Sequence, residues 1–229
     1  VMALRRLYKH NGETKIGRVE CNTFTDRELQ AIDYSIRLAK GHYLFSRCWL
    51  FVEGESDYHL MPLLFGAMGY AQDQVSFSVL EFSQAFEKGE SFIKLAKALG
   101  MQWFMMADGD KEGRGYIKRA KKYLENGEDI ADRAATLVNA DIEHEFWHNG
   151  YSDFMLNLVL PQTRNQIDTQ AAGDDAKKTK SLIDAAIKQA GGKPAFAQAL
   201  AAEIQQRGAD SIPQTIKDII DRVVQLAGG

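Results

Sequence analysis

The stretch that decides the fold is CWLFVEGESD, residues 48–57. Its first five residues, Cys48–Val52, are all apolar, which is typical of a strand that is buried on both faces of a sheet. Glu53 and Gly54 close this strand, and helical periodicity begins directly after them and ends near Gly69. A buried strand that leads at once into a helix favours a parallel sheet with helical connections.

The same alternation repeats along the chain. Strands are predicted at 75–80, 102–107 and 135–138, and helices at 84–99, 113–124 and 143–148. Ahead of the first strand, the capping-box pair Thr25 and Glu28 predicts a helix over 26–43. The sequence therefore predicts an α/β fold in which a parallel sheet is flanked by helices.

The C-terminal part of the chain has a different composition. Residues 162–175 are polar and are predicted to form a loop, and helices are expected over 176–190, 194–206 and 212–227. We predict three segments: an N-terminal linker and helix over 1–45, a catalytic domain over 46–160 and a helical lobe over 161–229. The first nine residues resemble the middle of a protein, so we expect the chain to begin inside a longer polypeptide.

Composition restricts the classes of function. The net charge of −3 gives no overall positive excess, so a nucleic acid would have to meet a local basic patch or bound cations. Cys21 and Cys48 lack the spacing of metal ligands, which argues against a zinc site or a disulfide scaffold. No apolar run reaches the roughly 20 residues that a spanning helix needs. We expect a cytoplasmic protein that does not bind a membrane.

Acidic residues follow two of the predicted strands. Glu53 and Asp57 come after the first strand, and Asp108, Asp110 and Glu112 come after the third. Because ligands of open parallel sheets bind at the carboxyl ends of the strands, we expect these acids to share one crevice. Several like charges in one place need a counter-charge, and carboxylate oxygens suit Mg²⁺ or Mn²⁺. Two such ions can clamp the attacking and leaving oxygens of a phosphoryl displacement.

Simpler interpretations of these acids remain open. Acidic residues at the start of a helix often cap it or complement its dipole. Residues 108–113 also begin like a calcium-binding loop, but its twelfth position is Arg119 instead of an acid, so we reject that interpretation. The histidines are scattered, and only His144 and His148 stand at helical spacing. There is no GxxxxGK[ST] or GxGxxG pattern, so no nucleotide is expected to bind through either.

Two stretches together resemble a known domain. VEGESD, residues 52–57, and DGDKEG, residues 108–113, each after an apolar strand, resemble the Toprim domain shared by topoisomerases, primases and nucleases of the overcoming lysogenization defect (OLD) family. Residues 44–55 and 141–147 most resemble the class 2 OLD nucleases. The resemblance covers roughly residues 45–147, and the helical tail more loosely.

This resemblance implies a set of site residues. Glu143 matches a further family acid, and a family lysine near the scissile phosphate corresponds to Lys193, where a fixed cation would stabilise developing charge. A solvated lysine ahead of a helix is the alternative for Lys193. Some family members carry a small hydroxyl residue in place of Asp110. The acids that match the family's metal ligands are Glu53, Asp57, Asp108, Asp110 and Glu112, and Glu53 is also assigned a catalytic role with Glu143 and Lys193.

The resemblance also implies partners. In the OLD family an ATPase domain precedes the Toprim domain in the same polypeptide, so ATP would act only through that absent domain, and a homodimer is left open. Arg114, Lys118 and Lys122 follow the acidic loop and could contact DNA phosphates without reading sequence. Residues 177–180 hold a second lysine cluster of the same kind. A plain solvated helix face is the alternative for both clusters.

We therefore expect an endonuclease that hydrolyses DNA with two Mg²⁺ or Mn²⁺ ions and a metal-activated water, because no arrangement of Ser, His and Asp for nucleophilic catalysis is evident. Three alternatives remain. The domain could bind DNA or assemble without catalysis, it could be a Toprim primase or topoisomerase-type enzyme, or it could be a phosphatase-like enzyme built on the Asp-x-Asp pattern.

Overall fold

The protein is described by a computed structural model that covers residues 1–10, 12–20, 22–38, 41–82 and 86–228. Its strands are β1 (Arg5–His10), β2 (Glu13–Arg18), β3 (Cys48–Val52), β4 (Phe77–Glu81), β5 (Gln102–Ala107) and β6 (Ala134–Thr136). The last four form one sheet in the order β4-β3-β5-β6, and every neighbouring pair in it is parallel. The predicted parallel sheet is therefore confirmed.

The helices lie between and after these strands. They are α1 (Asp26–Leu38), α2 (Glu55–Ala67), α3 (Gln72–Val75), α4 (Phe86–Ala98), α5 (Lys111–Ala120), α6 (Ile142–Phe146), α7 (Ser152–Leu158), α8 (Pro161–Gln170), α9 (Asp175–Ala190), α10 (Lys193–Arg207) and α11 (Gln214–Ala227). No described helix combines the length and the apolar character that crossing a membrane requires.

The unbroken apolar run of β3 is explained by burial of the strand on both faces of the sheet. All five of its residues are buried. Side chains of a strand alternate between the two faces of a sheet. Leu50 and Val52 belong to the core on one face, whereas Trp49 and Phe51 belong to the core on the other face. Both faces are covered by helices, so neither face of β3 tolerates a polar side chain.

The C-terminal helices cover one face of this sheet. Leu200 of α10 and Ile220 of α11 lie in the same hydrophobic core as Leu50 of β3 and Phe104 of β5. Helix α10 packs on α2, and α11 packs on β3 and β5. The predicted C-terminal helices are present, and they share their core with the sheet.

Several predicted boundaries were wrong. The polar stretch predicted as a loop over 162–175 begins with helix α8, because Pro161 stands at its first helical turn and Ile167 anchors one face in the core. The predicted strand at 75–80 begins at Phe77, after the short helix α3. The predicted helix over 26–43 ends at Leu38, and a separate 3₁₀ turn spans His42–Phe45. The start of the helix predicted at 84 lies outside the described residues.

The N-terminal linker contains a β-hairpin that the sequence did not predict. Strands β1 and β2 pair antiparallel, with Leu7 opposite Ile16, and both of these side chains are exposed. The hairpin is fixed to the rest of the fold by Arg6, whose guanidinium donates a 2.6 Å hydrogen bond to the carbonyl of Gly100. Its apolar residues do not point to a core, so the periodicity gave no signal for it.

Candidate functional site

The carboxyl ends of β3, β5 and β6 meet at one edge of the sheet, and a cleft of about 200 Å³ opens there. Four of its five acids lie in the loops and first helical turns that follow these three strands, and helices α9 and α10 close the opposite wall. The charged residues and the histidine that line the cleft are Asp57, Asp108, Asp141, Glu143, Asp184, His144, Lys180 and Lys193.

The two carboxylate oxygens of Asp57 differ in their hydrogen bonding to the described residues. Its Oδ2 accepts a 2.9 Å hydrogen bond from the Gly54 amide and so caps α2. Its Oδ1 is buried and accepts no hydrogen bond from any residue that the structure describes. Burial, followed by the charge of Glu143, raises the pKa of Asp57 to about 8. This oxygen therefore requires either a proton or a bound cation.

Asp108 connects the end of β5 to the end of β3. Its backbone amide donates a 3.3 Å hydrogen bond to Oε2 of Glu53. Burial and then the charges of Asp57 and Glu53 raise the pKa of Asp108 to about 9. Burial also raises the pKa of Glu53, and the charges of Asp110 and Glu112 add to this effect. The acids that follow the two central strands are therefore close enough for their negative charges to raise one another's pKa.

Glu143 is held by a residue of another helix, α2. The Ser56 hydroxyl donates a 2.5 Å hydrogen bond to Oε1 of Glu143, and both residues are buried. Burial and the charge of Asp141 raise the pKa of Glu143, whereas the Ser56 hydrogen bond and the charge of Lys193 act in the opposite direction. The carboxylate therefore has a fixed orientation at the wall of the cleft.

Asp141 and His144 form a paired acid and base within the same cleft. Oδ1 of Asp141 accepts a 2.8 Å hydrogen bond from the His144 amide, which caps α6, and lies 2.7 Å from Nδ1 of the His144 ring. Burial acts to raise the pKa of Asp141, but the hydrogen bonds from His144 outweigh it and the net pKa is lowered. The same hydrogen bond raises the pKa of His144. The negative charge of Asp141 is thus already stabilised by the hydrogen bonds from His144.

Asp110 and Glu112 lie outside the cleft, although the sequence grouped them with the other acids. Both are exposed. Oδ1 of Asp110 accepts a 2.8 Å hydrogen bond from the Gly113 amide and caps α5. Oε1 of Glu112 accepts a 2.5 Å hydrogen bond from the Tyr116 hydroxyl. The five predicted acids therefore form a cleft group and an outer loop group, and Glu53 feels the charges of both.

Gly109 is required by the packing of the acidic loop. Its amide donates a 3.1 Å hydrogen bond to the carbonyl of Asn139, in the loop after β6. A methyl group on Gly109 would overlap the carbonyl oxygens of Asn139 and Leu137. The missing side chain of Gly109 therefore serves the contact between these two loops. In the structure the close neighbour is the protein's own backbone.

The cations divide in the same way as the acids. Lys193, the first residue of α10, lines the cleft, and Lys180 of α9 also lines it. Arg114, Lys118 and Lys122 are exposed on α5 and the turn that follows it, and they do not line the cleft. Their contact with DNA stays a prediction.

Three cleft residues were missed or given little weight from the sequence. Asp141 follows strand β6, so the rule that linked Glu53 and Asp108 to strand ends would have found it. His144 was noted only for its spacing. Asp184 is an exposed residue of α9, and nothing in the sequence shows that α9 folds against this edge of the sheet.

The donors of the cleft fit a hard divalent cation in chemical type. Within the described ranges no three His, Cys, Asp or Glu side chains converge as a ready-made ligand set. The buried and unpartnered Oδ1 of Asp57 nevertheless lies in a cleft with other carboxylates of raised pKa. Mg²⁺ commonly takes only one or two carboxylates and completes its coordination with water and substrate oxygens. Asp57 and Asp108 are therefore the residues best suited to hold it.

Comparison with known proteins gives two sequence matches. Residues 44–110 match the family model of the overcoming lysogenization defect protein-like TOPRIM domain. The uncharacterized protein YbjD of Escherichia coli (strain K12) is 28% identical over 225 residues, which is 98% of this chain. The chain spans 38% of the length of that relative.

Solved structures of similar shape are C-terminal regions of OLD proteins. The region from Burkholderia pseudomallei has a TM-score of 0.62 at 20% identity and covers 80% of this chain and 99% of that one. The region from Xanthomonas campestris pv. campestris has a TM-score of 0.62 at 19% identity and covers 82% of this chain and 97% of that one. At such identities the likeness shows the fold, and the predicted fold class is confirmed.

Proposed function

We propose that this chain, whose residues 44–110 match the family model of an OLD-like Toprim domain, hydrolyses phosphodiester bonds of DNA with the help of divalent metal ions. One observation carries the proposal. Among the described residues the buried Oδ1 of Asp57 has no hydrogen-bond partner, and it lies in a cleft with the carboxylates of Asp108, Asp141 and Glu143. A site that only binds DNA has no use for so many acids in one cleft, because they repel phosphate.

The carboxylates are assigned to metal binding in two groups. Asp57 and Asp108 would hold one ion from the cleft, and Asp110 and Glu112 would face a second ion from the outer loop, with Glu53 between the groups. When bound, Mg²⁺ or Mn²⁺ supplies charge stabilisation at the phosphoryl oxygens and a more acidic water. The separation of the acids into a cleft group and a loop group supports two ions instead of one.

The remaining catalytic roles belong to residues of the cleft wall. Lys193 stands at the first residue of α10, where its ammonium group faces the acids and would offset negative charge that develops on the phosphate. The Ser56 hydrogen bond fixes the orientation of Glu143, and the charge of Lys193 opposes the rise of its pKa. Glu143 would therefore present its carboxylate in a fixed orientation at the cleft wall that Lys193 also lines.

The proposal extends to the setting of the domain. The chain spans 38% of its relative YbjD, and an ATPase domain in the same longer polypeptide would control cutting, so ATP would act only there. DNA is the proposed substrate, and Arg114, Lys118 and Lys122 are the proposed contacts to its phosphates. A homodimer and a cytoplasmic location are proposed as well.

The test is cutting of supercoiled plasmid with Mg²⁺, Mn²⁺ or EDTA, together with direct titration of Mn²⁺ by calorimetry. We expect nicked and linear products only with metal, and a loss of at least about 100-fold in Asp108→Asn and Glu53→Gln. Asp218→Asn is the matched control, since Asp218 is exposed on α11 and does not line the cleft. Failure of the folded chain and of its full-length polypeptide to bind Mn²⁺ or cut DNA would reject the proposal.

A further inference from the structure

Two lysines reach the cleft from distant points of the C-terminal helices. Lys180 lies in the second turn of α9, and Lys193 is the first residue of α10, just after α9 has ended at Ala190. Helix α9 rises about 15 Å between Lys180 and Ala190. The two side chains therefore reach the cleft from backbone positions on two different helices.

Both ammonium groups are available for a ligand. Neither Lys180 nor Lys193 forms an ion pair or a side-chain hydrogen bond with any residue that the structure describes. Their charges act only at longer range, that of Lys180 on Asp141 and that of Lys193 on Glu143. Lys178 differs, because its ammonium group is 2.7 Å from Asp168 and does not line the cleft. The lysine cluster at 177–180 thus supplies the cleft with Lys180 alone.

Two cations that line one cleft suit a chain of phosphates, because one strand of DNA carries a charge about every 3.4 Å along the helix axis. Asp184 of α9 lines the same cleft, and its carboxylate repels phosphate. The cation that α9 offers to a phosphate in the cleft is therefore Lys180.

We propose that the substrate strand lies along α9, with Lys193 at the scissile phosphate and Lys180 at a second phosphate further along the same strand. Lys180 is then a positioning residue that fixes the register of the strand and does not touch the reacting atoms. This inference rests on the proposed nuclease function. It adds a second phosphate subsite, built by α9, to the acid cleft.

The test locates the phosphates that the protein contacts. The probe is a set of oligonucleotide duplexes in which one phosphate at a time is a neutral methylphosphonate, and binding is followed by fluorescence anisotropy with Ca²⁺ in place of Mg²⁺. For the wild type we expect affinity to fall about threefold to tenfold at two separate positions. Lys180→Ala should become insensitive at one of them only, and the slope of log affinity against log salt should lose about one unit.

Matched variants separate positioning from folding. Lys180→Arg should restore both the affinity and the methylphosphonate profile, while Lys188→Ala, an exposed lysine of the same helix outside the cleft, should behave as the wild type. In cutting assays Lys180→Ala should raise KM and leave kcat unchanged, with the same melting temperature as the wild type. A wild-type profile in Lys180→Ala would overturn this inference alone. Absence of DNA binding by the wild type would overturn the proposed function with it.

Discussion

The Ser56 hydroxyl donates a hydrogen bond to the carboxylate of Glu143, which lies 87 positions later in the chain. Ser56 belongs to the first turn of α2, next to Asp57, and Glu143 belongs to the first turn of α6. The hydrogen bond therefore connects the start of α2, which follows β3, to the start of α6, which follows β6. Two parts of the acid cleft that are remote in sequence keep a fixed separation because of it.

Ser56→Ala should weaken the site without unfolding the protein. The hydrogen bond acts to lower the pKa of Glu143, so its loss raises that pKa further and leaves a buried carboxylate without its donor. We expect a loss of about 1–3 kcal/mol in unfolding free energy and about tenfold weaker Mn²⁺ binding. Thermal unfolding and calorimetric titration measure the two effects. Ser78→Ala, at an equally buried serine of β4, should leave Mn²⁺ binding unchanged, and an equal effect of both variants would contradict this role.

Stability without metal should fall as pH rises. The pKa of Asp57 is raised from 3.8 to about 8, and that of Asp108 to about 9. Between the ordinary pKa of 3.8 and these raised values, the folded state holds protons that the unfolded state has released. The unfolding free energy therefore decreases as pH rises through this range, and the contribution of each group is lost once the pH has passed its folded pKa. Chemical denaturation in EDTA from pH 5 to pH 9 should show this decline. Saturating Mg²⁺ should flatten it, since the cation replaces the protons.

Asp108→Asn offers the sharpest form of that measurement. An amide needs no counter-charge, so this variant should be more stable than the wild type at pH 8 in EDTA, by on the order of 1–2 kcal/mol, and should lose the response to Mg²⁺. Asp218→Asn, on the exposed side of α11, should follow the wild-type curve at every pH. Stability that is independent of pH in the wild type would show that the buried acids are compensated by the fold itself.

The strands and the acids of the site were predictable because their signals are local. An unbroken apolar run such as Cys48–Val52 needs burial on both faces, and the acids after it must then lie at a strand end. The wall opposite these acids was not predictable. Lys180 and Asp184 face the cleft only because α9 packs against this edge, and the exposed pairing of Leu7 with Ile16 left the hairpin without a core-facing pattern.

Gly109→Ala should destabilise the acidic loop. The added methyl group would overlap the carbonyl oxygens of Asn139 and Leu137, so the loops after β5 and β6 must separate. We expect a loss of about 1–3 kcal/mol and a loss of metal-dependent cutting, because Asp108 moves with this loop. Gly115→Ala is the matched control: its methyl group meets nothing within 4 Å, and alanine inside α5 should add up to about 1 kcal/mol. Equal stability of the two variants would contradict the packing argument.

Asp110 caps α5 and is also proposed to hold metal, and paired substitutions distinguish these two roles. Its Oδ1 accepts from the Gly113 amide, a bond that asparagine can also accept and alanine cannot. We expect Asp110→Asn to keep its melting temperature and to bind Mn²⁺ about tenfold more weakly, whereas Asp110→Ala should also lose about 1 kcal/mol of stability. Asp174 caps α9 in the same way, through the Lys177 amide, and lies outside the cleft. Asp174→Ala should therefore cost the same stability and leave Mn²⁺ binding intact. Unchanged Mn²⁺ affinity in Asp110→Asn would assign Asp110 to the helix cap alone.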